Sequence, residues 1–159
     1  MGKKFGSFEK QTWRIAVETT RKPPFNVNNM KTYFGRMVLL VQDYDEALAF
    51  YQENFRCKIL FDHHNENGSR YLHIGFDNAD NTGIWLLKPD TTGEEQLTGH
   101  QTGGQPTFVL YTDDILGLYH HLQKNNVTIR ISLINTPEYQ FFHCLDLYEN
   151  EIIVVQLQQ

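Results

Sequence analysis

The chain has 159 residues, enough for one domain with a sizeable core, and its 40% hydrophobic and 13% aromatic content excludes a disordered polymer. Fourteen basic against 19 acidic residues give a formal net charge of −5, so the chain has no field to attract a phosphate backbone and no nucleic acid partner is expected. The longest apolar runs, MVLLV and IIVV, fall far short of the roughly 20 residues that span a membrane. No signal-peptide core follows Gly2-Lys3-Lys4, and the expectation is a cytoplasmic protein without a membrane partner.

Residues 1–30 differ from the rest. A Pro23-Pro24 pair and an Asn-rich end read as an N-terminal arm and linker, within which Trp13, Ile15 and Val17 alternate with polar neighbours as in a half-buried strand. The domain proper is expected over residues 31–159. Its first element is an apolar run at 34–41, short enough for a strand. Gln42-Asp43-Tyr44-Asp45 then supplies turn and N-cap chemistry, and Ala47, Phe50, Tyr51 and Phe55 recur at helical spacing. Strands are predicted at 58–61, 71–76 and 83–87, with a polar turn over 63–68. Cys57, and later Cys144, lack C-x-x-C spacing and read as reduced, packed thiols.

Residues 88–105 are polar and rich in Gly and Thr, a connector between modules. Within them GHQTGG (99–104) lacks the Lys and the following helix of a phosphate loop and reads as a flexible linker. After it the pattern restarts. A strand beginning at Thr107 leads to Asp113-Asp114, and a helix with Ile115, Leu118, Tyr119 and Leu122 on one side ends near Asn125-Asn126. Strands follow at 127–131, 139–145 and 151–157. Superposing Asp43 on Asp114 gives an offset of 71 residues that also carries Arg36 onto Thr107 and Tyr51 onto Leu122. The order of elements, the acidic turn and the helix phase agree, which identifies a duplicated βαβββ module (about 33–88 and 106–159). The predicted fold class is α+β, with the two modules forming a curved mixed sheet around a cleft.

The segments VQDYDEALAFY (41–51), YTDDILGLYHHL (111–122) and DLYENEI (146–152) resemble, in order and spacing, the V-x-D-x-x-x-A-x-x-F-Y, V-D-D-(V/I) and closing D-P-D-G-N motifs of the vicinal oxygen chelate superfamily. That superfamily includes glyoxalase I, bleomycin and fosfomycin resistance proteins and extradiol dioxygenases. The loss of Pro and Gly from the closing motif implies a looser or differently bent hairpin. The resemblance further implies a homodimer.

Metal-using members hold a divalent ion with four inward side chains, usually His or Glu. Carried over by position, these fall on Arg36, Trp85, Thr107 and Ile153. A guanidinium repels a cation, an indole N–H only donates and isoleucine has no donor, so neither a metal nor any other cofactor is expected. The resemblance then points to metal-independent binding of a small hydrophobic or aromatic compound, including one bearing an acidic group. The alternative is a divalent-metal lyase, isomerase or dioxygenase with ligands from other positions.

The candidate ligand-binding residues are Arg36, Trp85, Thr107, Tyr111, His73, His143 and Ile153, with Val38, Leu87, Val109 and Val155 on the same predicted side. Trp85 would stack and Arg36 would pair with an acid on the ligand; equally open is an internal salt bridge from Arg36 to an acid such as Asp146. His73 and His143 sit in matching strands, either as polar or acid–base groups of the cleft or as ordinary sheet histidines. The pairs His63-His64 and His120-His121 do not make metal clamps, because adjacent residues diverge on strands and helices alike. No catalytic residue is assigned: neither cysteine has a neighbouring base and no G-x-S-x-G occurs.

Overall fold

The computed structural model describes residues 31–76 and 82–158. The arm and linker expected over residues 1–30 lie outside the described residues. The chain divides into two units, Met1–Tyr33 and Phe34–Gln159, and every element below belongs to the second.

The first module runs β1 (Arg36–Leu40), α1 (Tyr44–Phe55), β2 (Lys58–His64), β3 (Arg70–Gly75) and β4 (Gly83–Leu87). A one-turn helix α2 (Thr92–Glu95) lies in the connector. The second module repeats the first with β5 (Phe108–Tyr111), α3 (Ile115–Lys124), β6 (Ile129–Asn135), β7 (Tyr139–Leu145) and β8 (Glu151–Leu157). Each module makes its own four-stranded sheet, in the orders β1-β4-β3-β2 and β5-β8-β7-β6, here sheets A and B. The first strand of each pairs parallel with the last and the remaining pairs are antiparallel. The architecture is α+β and twofold repeated.

Local chemistry sets the helix ends. Asp43 is the N-cap of α1, its carboxylate accepting from the Asp45 and Glu46 amides, and Asp114 caps α3 through the Gly117 amide. Arg56 closes α1 in the left-handed region. Three details differ from the sequence reading. β2 continues through His63 and His64, because cross-strand pairing with Tyr71 and Arg70 outweighs their polarity, and the turn follows at Asn65. β6 starts at Ile129 and extends to Asn135, past the predicted end at 131. The connector contains α2, nucleated by a capping box between Thr91 and Glu94.

One face of each sheet is covered. Leu39, Leu72, Ile74, Ile84 and Leu86 from sheet A and Val41 just after β1, with Phe142, Cys144, Ile152 and Val154 from sheet B, join Ala47 and Tyr51 of α1 and Ile115 and Leu122 of α3 in a single core. Both thiols lie in it, and burial pushes Cys57 and Cys144 up to about 12. The helices meet at their C-terminal ends, where Asn125 Nδ2 donates to Asn54 Oδ1 (3.0 Å). These two asparagines are 71 residues apart, so repeat-equivalent positions touch at the seam.

The closing turn of the second module fastens the first. Tyr51 OH donates to Asp146 Oδ2 (2.7 Å) in the core, while Asp146 also accepts from the Tyr148 and Asn150 amides and from Asn150 Nδ2. The hairpin is therefore not loose. Glu149 takes the left-handed conformation (φ 70°) at the position of the family's glycine, and Tyr148 OH reaches back to both the amide and the carbonyl of Asp43. Burial beside Asp146 drives the Tyr51 phenol well above its ordinary range, so it remains a donor at any working pH. Tyr51→Phe removes one of the two donors to the buried Asp146 Oδ2, Asn150 Nδ2 being the other, and is expected to lower unfolding free energy by about 1–3 kcal/mol in urea titrations, with the m-value unchanged.

Candidate functional site

The helices occupy the inner faces, so the candidate site lies on the outer ones. On sheet A one cross-strand row runs Val38, Trp85, His73, Phe61. Its rings touch in sequence: Phe61 and His73 have centroids 5.3 Å apart, His73 and Trp85 5.4 Å, and Trp85 and Tyr71 6.0 Å. Side-chain alternation along β3 and β4 aims these rings outward while Leu72, Ile74, Ile84 and Leu86 point into the core. Arg36, at the start of β1, donates from Nη1 to the Gly35 carbonyl (2.8 Å). Burial, and then the charge of Arg36, hold His73 below its ordinary value of 6.5.

Sheet B has a row of matching register, Val109, Ile153, His143, Ile131, but different chemistry. His143 Nδ1 stands 2.5 Å from Glu151 Oε1, and Arg130 Nη1 donates to Glu151 Oε2 (2.8 Å). Glu151 is only 7% exposed. Along β7 the rings of Tyr139, Phe141 and His143 follow one another at 5.7 Å spacing. Thr107 is tied in through its backbone, whose N–H donates to the Glu151 carbonyl (2.7 Å). Arg130 and Glu151, with Thr128, His100 and Gly104, also wall a cavity of about 390 Å³.

The connector completes the surroundings. Gln101 accepts from the Leu40 amide (2.7 Å) and donates to the Val38 carbonyl (3.3 Å), so one side chain satisfies the outer edge of β1. Gly99 lies against the Tyr148 carbonyl at φ +79°, a place with no room for a side chain. The GHQTGG segment is thus a fitted strap across an edge, not the free linker that its composition suggested.

The seven sequence candidates fall into three places. Arg36, Trp85 and His73 share the outer face of sheet A. Thr107, His143 and Ile153 cluster around Glu151 on sheet B. Tyr111 stands apart, 70% exposed, on the wall of an open groove of about 1970 Å³ between β5, α3 and the end of α1. Asp146, the alternative partner for Arg36, is engaged with Tyr51, Tyr148 and Asn150. Sequence reasoning missed Glu151, Arg130 and Gln101. Glu151 carried a usable signal: a charged residue opening the apolar run IIVV.

The four positions onto which the sequence resemblance carries the family's metal ligands do not fit a metal. They carry Arg36, Trp85, Thr107 and Ile153, of which only the threonine hydroxyl has a lone pair to offer. Among the described residues, no group of three or more His, Cys, Asp or Glu side chains is placed to hold a metal ion. His73 and His143 occupy equivalent registers of separate sheets, each pairing with the fourth strand of its own module.

The fold agrees with comparisons to known proteins. The model of the Glyoxalase/Bleomycin resistance protein/Dioxygenase superfamily matches residues 33–154, and the chain belongs to that superfamily. An uncharacterised protein from Shewanella frigidimarina (strain NCIMB 400) is 24% identical over 122 residues, spanning 76% of this chain and 87% of its own. Among solved structures, UcmS2 is similar with a TM-score of 0.68 and 21% identity, over 79% of this chain and 98% of that one. TnmS3, an antibiotic binding protein from Streptomyces sp. CB03234, gives 0.65 and 23%, over 80% and 98%. At these identities the structural likeness speaks to fold. Among the described residues no helix is long and apolar enough to cross a membrane.

The depressed His73 has a pH consequence. The unfolded chain takes up the proton first, so this contribution to stability is complete above the ordinary value of 6.5 and is lost as pH falls below it through the folded value. An NMR titration should place the His73 midpoint below 6.5, and Arg36→Gln should move it upward.

Proposed function

We propose that the protein binds a small planar aromatic compound, including one with an acidic group, on the outer face of sheet A, and does so without a metal ion. The observation that carries this reading is the continuous ring surface of Phe61, His73, Trp85 and Tyr71 beside the guanidinium of Arg36. Such a surface offers stacking to a planar ligand and a charged donor to its acid. The donor types at Arg36, Trp85, Thr107 and Ile153 support metal independence.

A homodimer belongs to this reading. Val38 (40% exposed) and Val109 (45%) leave apolar surface on the outer sides of both sheets, which a second copy would cover, turning two faces into a cleft. The antibiotic binding protein TnmS3, of similar fold, lends the binding role further support. A cytoplasmic location is proposed with it, in keeping with two buried thiols that are not joined.

Calorimetric titration of chelator-treated protein with 2-naphthoate, a planar aromatic acid, tests the proposal. Binding is expected without added metal. Trp85→Ala should weaken it by about tenfold or less, as for loss of one aromatic contact. Arg36→Gln should weaken it by tenfold or more, as for loss of a charge-assisted hydrogen bond, and should flatten the salt dependence. Binding that appears only after a divalent ion is restored, or a stoichiometric ion lost on replacing His73 or His143, would favour a metal enzyme.

A further inference from the structure

The outer face of sheet B carries a polar device that the proposed role of sheet A does not use. His143 and Glu151 are i and i+8 across the β7–β8 hairpin, and His143 sits on an otherwise apolar row with Ile131 and Ile153. Glu151 receives two charged or chargeable donors, His143 Nδ1 on one oxygen and Arg130 Nη1 on the other. A buried ion pair seldom adds stability over well-packed apolar side chains, so stability alone gives little reason for a nearly buried carboxylate here.

Its effect on the imidazole is specific. With Glu151 accepting at Nδ1, the neutral ring carries its hydrogen there and leaves the lone pair on Nε2, the relation by which a carboxylate orients a histidine in acid–base sites. No described residue hydrogen-bonds Nε2. The neighbouring surface is aromatic and aliphatic: the Phe141 ring lies 5.7 Å from the imidazole, Tyr139 follows Phe141 on the same strand, and Ile153 is the cross-strand neighbour. Arg130 neutralises Glu151, so the face presents no net negative charge to select an amine.

We propose that this face is a hydrogen-bond-acceptor site for phenolic ligands, in which the aromatic ring packs along Phe141 and Ile153 and its O–H donates to His143 Nε2. Glu151 and Arg130 are positioning residues: one fixes the tautomer, the other holds Glu151. The inference rests on the reading of the outer sheet faces as ligand surfaces and adds a chemical class to it.

The test compares 2-naphthol with 2-methoxynaphthalene, which keeps the rings and removes the donor. Wild-type protein should bind the naphthol about tenfold more tightly or better, the discrimination expected when a hydrogen bond is present in one ligand only. The His143 ring resonances should move with the naphthol and not with the ether. His143→Phe, which keeps an aromatic ring, should bring the two affinities to parity, with His143→Gln as the second variant where the first fails to fold. Glu151→Gln should reduce the ratio several-fold and convert the imidazole 15N spectrum from a single Nδ1–H tautomer to a mixture, which a merely structural ion pair would not predict alongside a changed ligand preference. Equal wild-type affinities for the two compounds, with 2-naphthoate still bound, would overturn this site and leave the sheet A reading standing. A preference that survives in folded His143→Phe and His143→Gln would overturn it too. Failure of all three compounds to bind would overturn both.

Discussion

Each module has one long helix, and one helix covers one face of a four-stranded sheet. That constraint decides the rest of the molecule. α1 and α3 are spent on the inner faces, where they join both sheets in one core and meet at Asn54 and Asn125, and among the described residues neither module has a second long helix for its outer face. The fixings between modules follow the same logic. Tyr51 to Asp146 and Tyr148 to Asp43 tie the first helix to the last turn, so the orientation of one sheet's core face depends on the other's closing hairpin.

Duplication gave two equivalent outer faces, and substitution made them chemically different. At matching registers sheet A has Trp85 and His73, while sheet B has Ile153 and His143. Beside these, Arg36 matches Thr107, and Gly83, which pairs with Arg36, matches Glu151. One face is therefore cationic and rich in rings; the other places an oriented imidazole on an aromatic and aliphatic strip. The two histidines look alike in sequence but differ in physical state. His73 is held down by burial and a nearby guanidinium, whereas His143 is paired with a carboxylate.

How much of this was legible follows from the range of the interactions. The strands, the two long helices and the acidic caps at Asp43 and Asp114 rest on spacing within about a dozen residues, which a sequence displays directly, and the 71-residue repeat shows when those local patterns are superposed. The outward rows of Trp85, His73 and Val38 followed from period-2 alternation once the strands were placed. Contacts across the chain were not visible. Tyr51 and Asp146 are 95 positions apart, and Gln101 reaches β1 from 61 positions away. Composition made the GHQTGG segment a loose linker because its role depends on one amide meeting one strand edge. Of the two readings of the closing turn, the looser one failed for a related reason: Pro and Gly are one way to make it tight, and an aspartate accepting two backbone amides is another.

The central claim is that the ring surface beside Arg36 holds an aromatic acid without a metal. The most direct measurement is NMR shift mapping of chelator-treated protein with 2-naphthoate. The account predicts saturable shifts at the Trp85 indole N–H and the His73 ring with no divalent ion present. Shifts confined to the groove walled by Tyr111 and Leu118, or shifts at Trp85 only after a divalent ion is added back, would contradict it.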